Sequence, residues 1–208
     1  MSFKKVMGSI SDKLKLSGGA IIEAIKQNTQ YINAELRVIK AAQEGINALK
    51  IYADAETPSL KTSVNALAQK LENKEKAREE MANQLQEKFI NLLNEILKEE
   101  RNLSEKLKIA DDAQKDLAKA ENKLAKLESK PKEKLKPEQI DEAKSALKEA
   151  DGTYREAEAK ANAADNAYNK KKLNLMKSIL KNIEDIERAF HDKALKQIGA
   201  KEEEAISV

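Results

Sequence analysis

The sequence predicts an all-α protein, built as an elongated antiparallel coiled coil of three helices. Charged residues make up 36% of the 208-residue chain and aromatic residues 3%, with only six glycines and three prolines. Apolar residues also recur in alternating steps of four and three over more than four heptads, the spacing of helices with one buried stripe. Disorder is the competing interpretation of so polar a chain, but it gives no reason for phased leucines.

The first 16 residues form a short amphipathic segment with one apolar arc and a lysine-rich polar face. The apolar residues are Phe3, Val6, Met7, Ile10 and Leu14, and the lysines are Lys4, Lys5, Lys13 and Lys15. This pattern is typical of a helix lying in the plane of a membrane surface. It fits equally well a helix that packs its apolar arc onto the rest of the protein.

The pair Gly18-Gly19 predicts a break after this segment, because paired glycines do not propagate a helix. We therefore expect residues 1–16 to be disordered or loosely docked in solution and to become helical on anionic vesicles. The coiled-coil domain then spans residues 17–200.

Its first helix is predicted from about Ala20 to Ala55, with isoleucines seven residues apart from Ile25 to Ile46. Pro58 predicts a break, and Ser59 is the expected N-cap of the second helix. That helix extends to Ser129 without an internal proline or glycine. At ~1.5 Å per residue it would reach about 100 Å.

A proline-bounded loop over residues 130–137 leads to the third helix, predicted from Glu138 to about Ile198. Short connections make successive helices antiparallel neighbours, and the first helix covers only half of the second. Gly152 is the only interior helix breaker of the third helix. Residues 201–208 are predicted to be an acidic, frayed tail.

A broad apolar face near the middle of the second and third helices exceeds what one neighbouring helix covers. Such a face favours burial against a second copy around a two-fold axis, giving a central bundle of six helices, three from each copy. The predicted dimer interface consists of Leu85, Phe89, Leu92, Leu93, Ile96, Leu97, Leu173, Met176, Ile179, Leu180 and Ile183.

Lysines gather in two further places, on the solvent face of the distal second helix with the loop after it, and near the centre of the third helix. The distal set is Lys108, Lys115, Lys119, Lys123, Lys126, Lys130, Lys132, Lys134 and Lys136; the central set is Lys170, Lys171, Lys172 and Lys177. A charged run on a helix is usually only solvated. Placement beside a cationic amphipathic N-terminus favours a membrane-binding role instead.

Catalytic chemistry finds no support in the residues. Cysteine is absent, and the single His191 has no phased carboxylate set around it. We predict no catalytic, cofactor or metal site, and therefore no enzyme. Balanced charge and few aromatics argue against nucleic-acid binding. Without a signal peptide, a membrane-spanning run or an N-myristoylation start, a cytoplasmic protein with peripheral membrane contact is expected.

The arrangement of an amphipathic Met1–Leu16, one shorter helix, two long helices and a lysine-bearing turn over residues 130–137 resembles a BAR domain of the N-BAR type. The resemblance implies a crescent-shaped antiparallel homodimer that binds anionic phospholipid membranes and senses or induces curvature. It also implies that the N-terminal segment and both lysine sets bind the membrane. The sequence departs from the family in having no SH3-type tail module, so the resemblance implies no recruitment partner of that kind and other protein partners stay open. The alternative is an elongated adaptor or cytoskeletal spacer without lipid binding.

Overall fold

The computed structural model describes residues 3–130 and 137–199, with side chains for residues 8, 10–130 and 137–197. The elements are α1 (Phe3–Asp54), α2 (Pro58–Leu85), a π-helical turn (Gln86–Ile90), α3 (Asn91–Glu128) and α4 (Pro137–Gly199). Since α2, the π turn and α3 follow one another directly, they form one long helix. The described residues contain no strand. The predicted all-α class with three long helices is confirmed, while the acidic tail lies outside the described residues.

The predicted break before the second helix is present. Asp54 ends α1, and Thr57 takes an extended conformation (φ −60°, ψ 152°) directly before Pro58. A residue preceding proline avoids the helical region, and proline suits the first helical position because its missing N–H has no partner there. Thr57 is therefore the N-cap in place of Ser59, and its carbonyl accepts a bond from the Lys61 N–H at 2.8 Å.

The expected break at Gly18-Gly19 is wrong, since α1 runs through both glycines. Gly18 is buried, and a Cβ placed on it would overlap the carboxylate of Glu100 on α3. A glycine here therefore leaves room for the Glu100 carboxylate between α1 and α3. Leu14 and Ile21 are buried on either side of the pair. This packing offsets the cost of about 1 kcal/mol that glycine adds to a helix interior.

One compact unit combines Met1–Ile21 with Ile96–Leu173. Its α3 and α4 segments are antiparallel: Lys171 Nζ pairs with Glu99 Oε1 at 2.7 Å, while Leu117 and Leu147 line a shared groove further along. Its core is narrow and rich in alanine, as the sequence predicts. The buried residues along α3 and α4 include Leu103, Leu107, Ala110, Ala143, Ala157, Ala161 and Tyr168.

The other compact unit combines Ile22–Glu95 with Asn174–Val208. Ion pairs bind α2 to α1 through Lys50 and Glu72 at 2.6 Å, and to α4 through Glu80 and Lys193 at 2.5 Å. The larger apolar side chains at its centre are buried: Ile32, Ile46, Met81, Leu85, Phe89, Ile90, Leu93, Ile179 and Ile186. Its core is therefore broader than that of the first unit.

The π turn explains part of the wide apolar face seen in the sequence. The Asn91 N–H donates to the Gln86 carbonyl five residues back, and the neighbouring residues Phe89 and Ile90 are both buried. The Asn182 side-chain amide on α4 donates to the Lys88 carbonyl at 3.1 Å. A π turn rotates the following residues relative to a regular helix. The chain thus buries adjacent apolar residues within the unit itself.

An ionic cluster that sequence patterning did not reveal lies in the second unit. Arg78 on α2 pairs with Glu75 at 3.0 Å and with Glu35 on α1 at 2.5 Å. Glu75 is only 5% exposed, and the ring of Phe190 lies 5.4 Å below the guanidinium. Lys74 lies 3.6 Å from Glu75, so Arg78 and Lys74 together balance two carboxylates held largely away from water.

Replacing Arg78 by methionine is predicted to destabilise the protein by about 3 kcal/mol, because the largely buried Glu35 loses its counter-charge and Glu75 keeps only the longer pair with Lys74 at 3.6 Å. Arg188→Met is the matched control, since its pair with Glu184 is mostly exposed and should be worth at most about 0.5 kcal/mol. Urea unfolding at equal protein concentrations measures both. Equal losses in the two variants would contradict the assignment.

Candidate membrane interface

The distal lysines occupy the solvent face of α3. Lys108, Lys115, Lys119, Lys123, Lys126 and Lys130 are all exposed. The buried residues Leu103, Leu107 and Ala110 lie on the opposite side of the helix. Lys132, Lys134 and Lys136 fall outside the described residues. The six described lysines therefore form one continuous basic surface, which we call the α3 stripe.

Two lysines of the α3 stripe form ion pairs with neighbouring aspartates. Lys115 pairs with Asp111 at 2.6 Å and with Asp112 at 3.0 Å. Both hydrogen bonds raise the pKa of Lys115, and the one to Asp111 has the larger effect. Lys119 pairs with Asp116 at 2.7 Å. Acidic neighbours thus offset the proximal part of the stripe.

The end of α3 is different. Within the described part of the chain, Lys123, Lys126 and Lys130 form no ion pair, nor does the more proximal Lys108. A cleft here is lined by Lys119, Asn122, Lys123, Lys126, Leu127 and Lys130. This concentration of exposed ammonium groups is a surface that attracts anions.

The central lysine set divides into two kinds. Lys171 pairs with Glu99, and that hydrogen bond is the main cause of the lowered pKa of Glu99. Lys172 donates to Ser17 Oγ on α1 at 2.5 Å and lies 5.4 Å from the centre of the Tyr168 ring. Both therefore hold helices of this unit together. Lys170 and Lys177 are exposed, as a membrane contact requires.

The described part of the N-terminal segment packs on α4. Leu14 is 7% exposed and Ile10 is half-buried, while Lys13 and Lys15 point to solvent. A cleft of about 250 Å³ lies between these residues and the α4 residues Tyr168 and Asn169. Here the apolar arc is a packing surface. The side chains of Phe3, Lys4, Lys5, Val6 and Met7 lie outside the described set.

Glu100 lies where α1, α3 and α4 meet in this unit. It accepts a hydrogen bond from the Tyr168 hydroxyl at 3.4 Å and faces Gly18. Burial raises the pKa of Glu100, against smaller lowering effects of the Tyr168 hydrogen bond and the Lys172 charge. The N-terminal part of α1 therefore lies beside a carboxylate whose ionised form is disfavoured by burial.

The predicted dimer residues also divide when their burial is considered. Leu85, Phe89, Leu93, Ile96 and Ile179 are buried within the single chain, whereas Leu92, Leu97, Met176 and Ile183 are half-buried. Leu173 and Leu180 are exposed by 56% and 65%. The exposed pair is most accessible to a second copy.

The described residues offer little support for a metal-binding or catalytic site. They contain no group of three or more His, Asp or Glu side chains able to hold a metal ion. His191 is exposed and lies 3.8 Å from Glu187. No helix among them is long and apolar enough to cross a membrane.

Comparison with known proteins finds similarity in structure and none in sequence. No protein-family model matches the chain, and no curated protein matches it either. Among solved structures, it is similar to the N-terminal I-BAR domain of D. discoideum IBARa, with a TM-score of 0.53 and 17% identity. The match covers 94% of this chain and 87% of that chain. The BAR-like fold expected from the sequence is confirmed, and the N-BAR type stays a prediction.

Glu100→Gln is predicted to stabilise the protein at pH 7. The folded pKa of Glu100 is raised, so the native state binds a proton more readily than the unfolded chain, and stability falls as pH rises through that interval. A neutral glutamine removes this loss. Urea unfolding should show the gain at pH 7 and no gain below about pH 4, where the unfolded carboxyl is also protonated.

Glu99→Gln is the control with the opposite sign, because Lys171 lowers the pKa of Glu99 and that stabilisation is present at neutral pH. It should lose stability at pH 7 and less at acid pH. A Glu100→Gln variant that is weaker than wild type at pH 7 would refute the assignment.

Proposed function

We propose that the protein is a peripheral membrane scaffold of the BAR type, which binds anionic phospholipid and senses or induces curvature as a homodimer. The single observation that carries the proposal is the uncompensated lysine group Lys123, Lys126 and Lys130 at the end of α3. The similarity in fold to an I-BAR domain supports the same class of function.

The physical basis is electrostatic. A lysine held close to an anionic leaflet contributes about 1 kcal/mol, and the attraction decays over a Debye length of about 10 Å at 0.1 M salt. Several lysines presented by one rigid helix add their contributions without first being ordered. Affinity should therefore rise with the fraction of anionic lipid.

Within this proposal the lysines have different roles. Lys108, Lys123 and Lys126 of α3 and Lys130 just after its end, with Lys170 and Lys177 of α4, face the headgroups. Lys115 and Lys119 contribute less, because Asp111, Asp112 and Asp116 already pair with them. Lys171 and Lys172 mainly hold helices together.

The N-BAR part of the proposal is that the first residues of α1 insert into the bilayer. Leu14 is already packed on the protein, so the bilayer must compete with α4 for this segment. Phe3, Val6 and Met7 supply the apolar side chains at its beginning, next to Lys4 and Lys5. Such a segment shifts from the protein to the membrane only if its apolar residues gain more there.

Charge reversal at Lys123, Lys126 and Lys130 to glutamate is predicted to weaken binding to anionic vesicles by about 100-fold or more, since about 3 kcal/mol of attraction is lost. Co-sedimentation measures the affinity, and circular dichroism checks that helix content is unchanged.

The matched control reverses the exposed Lys40, Lys76 and Lys196, which makes the same change in net charge. It should bind nearly as well as wild type. Equal loss in both variants would show that only net charge matters. Failure of wild type to bind vesicles at all would leave the adaptor alternative.

Deleting residues 2–9 is predicted to reduce vesicle binding and tubule formation while leaving the helical fold intact, because Leu14 and the Ser17–Lys172 bond remain. The control replaces Lys4 and Lys5 by glutamine, which removes the charge but keeps the apolar residues. If the deletion and this control lose equal binding, insertion of apolar residues is not involved.

A further inference from the structure

The outer face of α1 in the second compact unit carries a second, exposed apolar stripe, of which only the first member, Tyr31, is partly buried beside Glu35 and Glu187. Its members recur in strict steps of three and four, and all are exposed: Tyr31, Ala34, Val38, Ala41, Gly45, Ala48 and Tyr52. At 3.6 residues per turn, this stripe lies about a third of a turn from the inward stripe containing Ile32, Ile39 and Ile46.

This outer face is substantially apolar. Tyr31, Val38 and Tyr52 are exposed by 40%, 47% and 50%, and the neighbouring Ile51 by 73%. Between them Gly45 has no atom within 4 Å of where a Cβ would stand. Large side chains that alternate with small ones at heptad spacing are typical of a helix that packs against another helix.

Charge identifies the occupant. Arg37 and Glu44 flank the outer face on one side, seven residues apart, and neither forms an ion pair within the described residues. This flank carries both signs of charge, with the exposed Arg37 and Lys40 beside Glu44, and an anionic lipid surface would leave Glu44 without a partner. In an antiparallel pair of α1 helices, in contrast, Arg37 lies beside the partner's Glu44, and the two-fold axis repeats the pairing.

The same antiparallel alignment also pairs side chains of complementary size along the stripe. With the axis midway between Val38 and Ala41, Val38 meets the partner's Ala41, and Tyr31 meets the partner's Ala48. The two large side chains of this segment thus face small ones, while Ala34 meets the partner's Gly45. A parallel alignment would instead place Arg37 beside the partner's Ala42 and would form no charge pair.

We propose that the outer face of α1 docks antiparallel on the same face of a second copy of this chain, with reciprocal pairs between Arg37 and the partner's Glu44. The proposal rests on the homodimer of the proposed function and identifies its interface. It locates the contact on α1, which the residues predicted from sequence do not include.

The test is a charge-swap cycle followed by sedimentation equilibrium. Arg37→Glu and Glu44→Arg each create two like-charge contacts, so each should raise the dimer dissociation constant by at least about tenfold. The double variant, Arg37→Glu with Glu44→Arg, restores both pairs and should return to within about twofold of wild type. All three changes lie on exposed positions and should leave helix content unchanged.

Ala41→Glu provides an independent readout, because it buries a carboxylate against the partner's Val38 on each side of the axis and should abolish the dimer. Leu180→Glu is the matched control on the exposed part of the face predicted from sequence. If Leu180→Glu dissociates the dimer and Ala41→Glu does not, the α1 interface is refuted. Single and double variants that are equally weak would refute the antiparallel pairing.

A wild-type chain that is monomeric at micromolar concentration overturns the interface together with the homodimer. Vesicle co-sedimentation on the same proteins keeps membrane binding separate from these results. A dimeric wild type that obeys the charge-swap cycle but ignores anionic vesicles would support the interface and refute the membrane function.

Discussion

Each long helix must bury an apolar stripe against antiparallel neighbours, and the other features of the structure depend on this constraint. In the first compact unit the stripe is narrow, and Gly18 leaves room for the Glu100 carboxylate between α1 and α3. In the second unit the stripe is broader, and the π turn directs both Phe89 and Ile90 inward. Polar contacts then set the alignment, through pairs such as Lys171 with Glu99. The faces that packing does not use are the ones available for binding.

The helix class, the break before Pro58 and the exposed lysines of α3 could be predicted from the sequence, because periodicity and proline act locally. Gly18 could not, since a glycine that opens a helix and one that admits a neighbouring side chain look alike in sequence. The π turn was also missed, and the apolar width around Leu93 was assigned entirely to a partner. The sequence predicts Lys172 to be a surface charge, because its partners, Ser17 and Tyr168, are distant in the chain.

Function is then a question of which surface groups the fold leaves uncompensated. Lys123, Lys126 and Lys130 have no acidic partner in the described structure, while Lys115 and Lys119 do. A cationic helix face without acidic partners and an exposed apolar face favour different binding partners. The first suits an anionic surface and the second suits another helix. A scaffold that is dimeric and membrane-bound would use both.

Binding of the wild-type chain to vesicles at two salt concentrations tests the central claim most directly. We expect co-sedimentation with anionic but not neutral vesicles at about 0.1 M salt, and strong loss at about 1 M salt, where the Debye length falls from about 10 Å to about 3 Å. Binding that is the same for both kinds of vesicle and at both salt concentrations would contradict the electrostatic basis. No binding to anionic vesicles at the lower salt concentration would contradict the membrane function itself.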